Sequence, residues 1–171
     1  MIPIVSIVGK SDSGKTTLIE KLVSELRSRG YRVATIKHDA HSFEIDREGK
    51  DSWRHKQAGA SLTVISSPSK LAMVEDTDHE YTLAELREKL IRGVDLILTE
   101  GYKREANPKI EVIRSEHHRD MLCREDDNLI AIAGDPADPP ARVPVFDLND
   151  SLGLCDFLEE RFIKTSHPAA G

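Results

Sequence analysis

The segment Gly9-Lys10-Ser11-Asp12-Ser13-Gly14-Lys15-Thr16 meets every requirement of the G-x-x-x-x-G-K-[ST] pattern, a loop whose backbone amides cradle phosphates. Its flanks fit the same chemistry. Ile2 to Val8 reads as a short apolar strand, and the chain from Thr16 onward reads as a helix. Loop N–H groups and a helix N-terminus then converge on one point, which favours an anion. In this frame Gly9 to Thr17 surround phosphate oxygens, Lys15 reaches the β- and γ-phosphates, and the Thr16 hydroxyl coordinates Mg²⁺.

Such a loop requires a second acidic partner for the metal, usually at the end of a neighbouring strand. Asp95 and Glu100 flank Leu96-Ile97-Leu98-Thr99. At about 3.3 Å of rise per residue they lie roughly 16 Å apart, so only one faces the nucleotide. Ligands gather at the carboxyl edge of a parallel sheet, which selects Glu100 and leaves Asp95 as a strand-entry residue. Gly101 follows, and its N–H approaches a γ-phosphate with no side chain in the way. The second strand ends in Lys37-His38-Asp39-Ala40-His41. There Asp39 would hold Mg²⁺ through a water and Lys37 would meet an anion. Two imidazoles, His38 and His41, do not by themselves make a zinc site, and a solvated loop is the alternative.

Two further positions carry open alternatives. Lys10 lies five residues before Lys15, the spacing at which one class of dimeric P-loop proteins extends a lysine into the partner's site. That pattern wants glycines next, and Ser11 and Asp12 stand there instead, which favours an exposed loop lysine. The Asn-Lys-x-Asp guanine motif is absent, and Asn107-Pro108-Lys109 does not complete it. Asp135, in Gly134-Asp135-Pro136, either accepts from the guanine N1–H and N2 amine or is a plain turn aspartate.

The elements that position these residues follow from periodicity. Leu18, Ile19, Leu22, Val23 and Leu26 recur at helical spacing, and Gly30 ends that helix. Tyr31 to Lys37 is the second strand. His38 to Lys50 is polar and aperiodic, a mobile loop. Asp51 or Ser52 caps a short helix ending at Gly59. Leu62–Ile65 and Leu71–Val74 form a hairpin around Ser66-Ser67-Pro68-Ser69. Thr82-Leu83-Ala84-Glu85 is a capping box, with Leu83, Leu86, Leu90 and Ile91 as the buried stripe. Val94 to Thr99 is a buried strand, Lys109 to Arg114 alternates like a half-exposed one, and Leu129–Ala133 and Val143–Phe146 are core strands. A last helix spans about Ser151 to Ile163, with Cys155 on its apolar side. The expectation is an α/β P-loop fold of three layers, with a mainly parallel sheet and a small antiparallel extension. It forms one nucleotide-binding domain over residues 1–164 and a disordered tail over 165–171.

Composition narrows the function classes. The 171 residues suffice for one domain with a proper core. No run approaches the ~20 apolar residues of a membrane span, and no secretory leader is evident. Cys123 and Cys155 share no metal-type spacing, which suggests reduced thiols and a cytoplasmic location. A net charge of −6 argues against a general nucleic-acid binder.

The phosphate loop together with Lys37-His38-Asp39-Ala40-His41, Gly49-Lys50-Asp51-Ser52, Ala58-Gly59-Ala60, Asp95 to Lys103 and Pro144 to Asp150 resembles the molybdopterin-guanine dinucleotide biosynthesis protein B (MobB) family over roughly residues 2–160. The resemblance implies a GTP-binding homodimer with weak GTPase activity. Such a protein would assist the guanylyltransferase MobA, with Gly9 to Thr17 on the phosphates and Thr16 and Glu100 on Mg²⁺. Lys37, His38, His41, Arg47, Lys50 and Arg54 would give a local positive surface for the phosphate and dithiolene of molybdopterin; a nucleotide-sensing switch loop is the alternative. Two rivals come from other classes. A small-molecule kinase needs a cationic lid, for which Arg114, Arg119 and Arg124 are candidates, but their stretch shows no clear lid pattern. A metallochaperone GTPase for nickel often carries a Cys-containing motif, and neither Cys-Pro-x-His nor Cys-x-x-Cys occurs here.

Overall fold

The computed structural model describes residues 1–39, 43–116 and 120–166. In chain order the elements are β1 (Ile4–Val8), α1 (Lys15–Ser28), β2 (Val33–Lys37), α2 (Asp51–Gln57), β3 (Leu62–Ser66), β4 (Leu71–Glu75), α3 (Leu83–Lys89) and β5 (Leu96–Glu100). Next come β6 (Lys109–Ile113), β7 (Leu129–Gly134), β8 (Val145–Phe146) and α4 (Ser151–Leu158). A π-helical turn, Glu159–Ile163, carries α4 into a final turn, α5 (Lys164–Ser166). The chain groups into two compact units, Met1–His38 with everything from Arg87 onward, and Asp39–Leu86.

In the first unit all six strands run parallel in the order β2-β5-β1-β6-β7-β8. The continuous apolar runs of β1, β5 and β7 reflect this, because a strand inside a parallel sheet is covered on both faces. Leu18, Leu22 and Leu26 of α1 and Leu154 and Leu158 of α4 pack with Val5, Ile7, Leu98 and Val112 in one core. Each such leucine contributes roughly 1.5–3 kcal/mol by leaving water. A smaller core gathers Val8, Ile113, Leu129 and Ile132 with Cys123. The one buried hydroxyl pair inside the sheet is satisfied, Thr99 Oγ1 donating to Ser6 Oγ at 3.0 Å. Helix α1 stops as its sequence predicts: the Gly30 and Tyr31 amides donate to the Arg27 and Leu26 carbonyls, the Schellman arrangement.

Several expectations are corrected. Strand β6 is buried throughout rather than half-exposed. Its charges are partnered: Lys109 Nζ donates to Asp126 at 2.7 Å, and Glu111 accepts from the Leu122 and Cys123 amides. The β6–β7 connection thus supplies what solvent would supply to an exposed strand. Strand β8 is a two-residue edge, with Val145 43% exposed, instead of a core strand from Val143. Lys164–Ser166 continues as a helical turn; residues 167–171 of the expected tail lie outside the described residues.

The second unit holds α2, the antiparallel β3–β4 hairpin and the start of α3. The capping box at Thr82 is formed, Glu85 N donating to Thr82 Oγ1 at 3.2 Å and Thr82 N to Glu85 Oε2 at 3.0 Å. Helix α3 ends at Lys89, so Leu90 lies beyond it and is exposed, and Leu83 is the buried member of the expected stripe. The α2 N-cap is Lys50 with no side-chain cap, not Asp51 or Ser52.

Candidate functional site

The loop joining β1 to α1 lies at the carboxyl edge of the sheet, where Ile7 of β1 and Lys37 of β2 are both in register with Glu100 of β5. At Gly9, φ is +149° and a Cβ would sit 2.6 Å from the Val112 carbonyl oxygen, so no side chain fits. Asp12 and Gly14 also take positive φ, which curls the loop into the first turn of α1. Lys15 Nζ lies back across the loop and donates to the Lys10 carbonyl at 2.7 Å. Thr16 Oγ1 donates to Glu100 Oε1 at 2.9 Å. Two residues 84 positions apart, chosen from motif and sheet edge alone, are thereby in direct contact.

Ser11, Asp12, Gly14, Lys15, Thr16, Thr17 and Glu100 line an open cavity of about 440 Å³. Ser13 is buried beneath it, and its Oγ has no hydrogen-bond partner among the described residues. Preformed amides, a helix N-terminus and an ammonium suit an anion with many acceptor oxygens. The Thr16 hydroxyl and Glu100 carboxylate supply hard oxygen donors of the kind Mg²⁺ takes.

Other candidates fall elsewhere. Asp95 Oδ2 accepts from the Arg32 amide at 2.7 Å, at the opposite end of β5 from Glu100. The Gly101 N–H is not aimed at the loop cavity; it donates to the Ile7 carbonyl at 3.1 Å and extends the β1–β5 ladder. Tyr102 then takes φ +55° and its ring lies 5.0 Å from that of His38. Lys10 Nζ is 3.9 Å from Asp120. Asp39 opens the second unit, and His41 lies outside the described residues. Among the described residues no group of three or more His, Cys, Asp or Glu side chains could hold a metal. Both cysteines are buried, and desolvation pushes their thiols up to about 11 for Cys123 and about 12 for Cys155. Of the arginines considered for a lid, Arg124 is paired with Asp138 at 2.7 Å, and Arg119 is outside the described residues.

A second cavity, about 270 Å³, opens at the carboxyl ends of β6, β7 and β8 and is lined by Arg114, Glu116, Gly134, Asp135, Asp147, Leu148 and Asn149. Asp135 accepts from the Ser115 amide at 2.9 Å and from the Ser115 hydroxyl. These donors, the hydroxyl first, hold its carboxyl below the ordinary aspartate value. Asp147 and Asn149 escaped sequence reasoning as site residues; their only signal is their position just past the last strand.

A family profile for molybdopterin guanine dinucleotide synthesis protein B matches residues 4–135. The chain belongs to the MobB family. Among MobB relatives, the molybdopterin-guanine dinucleotide biosynthesis adapter protein of Haemophilus influenzae is 38% identical over 92% of this chain and 88% of its own length. That of Escherichia coli is also 38% identical, over 94% of this chain and 93% of its own length. The solved MobB homologue of Bacillus stearothermophilus superposes with a TM-score of 0.70 at 29% identity, covering 95% of this chain and 98% of its own. Bacillus subtilis MobB gives 0.72 at 28% identity, covering 94% and 98%. The P-loop NTPase fold, a mainly parallel sheet with a small antiparallel extension, is the architecture observed.

Proposed function

We propose that this MobB-family chain is a GTP-binding adapter in molybdopterin-guanine dinucleotide biosynthesis, working beside the guanylyltransferase MobA in the cytoplasm as a homodimer. The Thr16–Glu100 hydrogen bond at 2.9 Å, inside a complete phosphate loop, carries the reading. Gly9 to Thr17 hold the phosphates, with Lys15 Nζ exchanging the Lys10 carbonyl for β- and γ-phosphate oxygens. Mg²⁺, when bound, neutralises charge on those oxygens; Thr16 and Glu100 would hold it. Glu100 also orients the attacking water in a slow hydrolysis. The second cavity takes the base, and its Asp135 and Asp147 carboxylates can accept from the N1–H and N2 amine that guanine has and adenine lacks. Arg47, Lys50 and Arg54 of the second unit supply cations for the molybdopterin phosphate and dithiolene.

The adapter role rests on what accompanies the loop. Among the described residues, Glu100 and Asp12 are the carboxylates that line the phosphate cavity, and no imidazole lines it to serve as base for an acceptor hydroxyl. Arg124 is committed to Asp138, which removes it from a kinase lid. Homodimerisation is supported by one face of the β3–β4 hairpin, where Leu62, Val64, Leu71 and Met73 are all exposed.

Reconstituted guanylylation with MobA and limiting GTP tests the function. Wild type should form a complex with MobA and raise product formation. Lys15→Ala, losing about 1.5–3 kcal/mol of charge-assisted contact, should bind GTP roughly 10- to 150-fold more weakly and stimulate less. Equal stimulation by both proteins, or no complex with MobA, rejects the adapter reading.

A further inference from the structure

Arg114 directly follows β6 and lines the cavity at the ends of β6, β7 and β8. Its guanidinium also reaches the phosphate loop: a Cβ placed on Gly14 would lie 3.4 Å from its Nη2 and 3.5 Å from its Nε. The side chain therefore spans the boundary between the two cavities. It is exposed, and among the described residues it makes no hydrogen bond or ion pair. Of the two loop lysines, Lys15 donates to the Lys10 carbonyl and Lys10 lies 3.9 Å from Asp120.

The position of Arg114 is imposed from behind. Ser115, the next residue, gives both its amide and its hydroxyl to Asp135 at the end of β7. That two-point latch fixes the turn after β6 and so fixes where the Arg114 stem starts. A planar donor fork with no protein acceptor, held beside Gly14 and facing an acidic cavity, is suited to a phosphate bridging the two spaces.

We infer that Arg114 is a nucleotide-clamping residue that binds the phosphate nearest the nucleoside, and that Ser115 and Asp135 position it. The inference rests on the nucleotide reading above: β- and γ-phosphates in the loop and the base in the second cavity leave the α-phosphate at the boundary. Asp135 then acts mainly through Arg114. Its loss lowers affinity for any nucleotide, adding to whatever it contributes to base choice.

Displacement of a fluorescent GTP analogue by GTP, GDP, GMP and ATP tests this in wild type, Arg114→Ala, Arg114→Lys and Asp135→Asn. Arg114→Ala should weaken all three nucleotides by a similar factor, about tenfold or more for a lost charge-assisted contact. Arg114→Lys, which keeps the charge but loses the fork, should restore only part of the affinity, and the unliganded melting temperature should not move. Asp135→Asn should weaken GTP and ATP together. A loss confined to GTP would put Arg114 at the γ-phosphate and overturn the assignment, as would Arg114→Ala affinities equal to wild type. No displacement by any nucleotide in wild type overturns the nucleotide reading itself, and this proposal with it.

Discussion

The two units use apolar residues in opposite ways. In the first, Val5, Ile7, Leu22, Leu96, Ile97 and Leu98 are fully buried between strands and helices. In the second, β3 and β4 carry residues of the same kind, and Leu71 is 72% exposed, with Leu62, Val64, Ile65 and Met73 also open. Leu62, Val64, Leu71 and Met73 share one hairpin face because Val64 pairs with Met73 and Ser66 with Leu71. The opposite face contributes Thr63 and Val74 to a small cavity with Trp53 and Lys56. A two-stranded hairpin is marginal in water unless its apolar face is covered. The first unit completes its core with its own residues; the hairpin face offers its apolar surface to something else. The same alternation can thus mean core or contact surface, and the number of layers around a strand decides which.

The largest expected effect probes the self-sufficient unit. Leu98→Ala, at a fully buried β5 position, should cost about 2–5 kcal/mol in denaturant unfolding, whereas Leu71→Ala should stay within about 0.5 kcal/mol. Equal losses would erase the contrast between the units. A middle-sized effect concerns how the first unit is tied together at α4. Arg29 donates to Glu25, Asp156 and Glu159, and Tyr31 donates to Glu159. Arg29, ahead of Tyr31, holds the Glu159 carboxyl below the ordinary glutamate value. Its folded-state value is lowered, so the stabilisation is complete above the unfolded value near 4.3 and is lost as pH falls through the lower folded one. Glu159→Gln should remove about 1–3 kcal/mol at neutral pH and flatten the acid limb of a stability–pH curve. An unchanged acid limb would show that this network contributes little. The smallest effect on monomer stability is expected from Val64→Asp on the hairpin, within about 0.5 kcal/mol. Light scattering should nonetheless report a shift from dimer to monomer. A wild type that is already monomeric would leave the hairpin face to a different partner.

What the sequence made legible depended on whether a signal was local. The phosphate loop was complete because its geometry is written in eight consecutive residues. Glu100 could be chosen because a strand has two ends and only one faces the loop. The capping box at Thr82 and the stop at Gly30 are likewise local. The α2 cap and the end of α3 were missed by a residue or more at element boundaries, whereas the misreadings that bear on the site involve partners far along the chain. Alternation in Lys109 to Ile113 looked half-exposed because Asp126 and the amides of Leu122 and Cys123, which satisfy its charges, come from the following connection. Gly101 looked free to meet a phosphate because nothing local shows that Ile7 claims its N–H. Asp135 read equally as a turn residue or a base reader because its bond to Ser115 spans 20 positions. Arg114 was read as lid material because its distance to Gly14 exists only in the folded sheet.

The hydrogen bond from Lys15 to the Lys10 carbonyl has a kinetic meaning. A neutral carbonyl fixes the ammonium without cancelling its charge, so Lys15 stays fully charged beside Asp12 and Glu100 on a chain whose net charge is −6. A polyanion approaching the acidic molecule meets net repulsion at long range and the ammonium only at close range. Association of a triphosphate should therefore quicken as added salt shortens the reach of that repulsion, while the amides that receive it need no rearrangement.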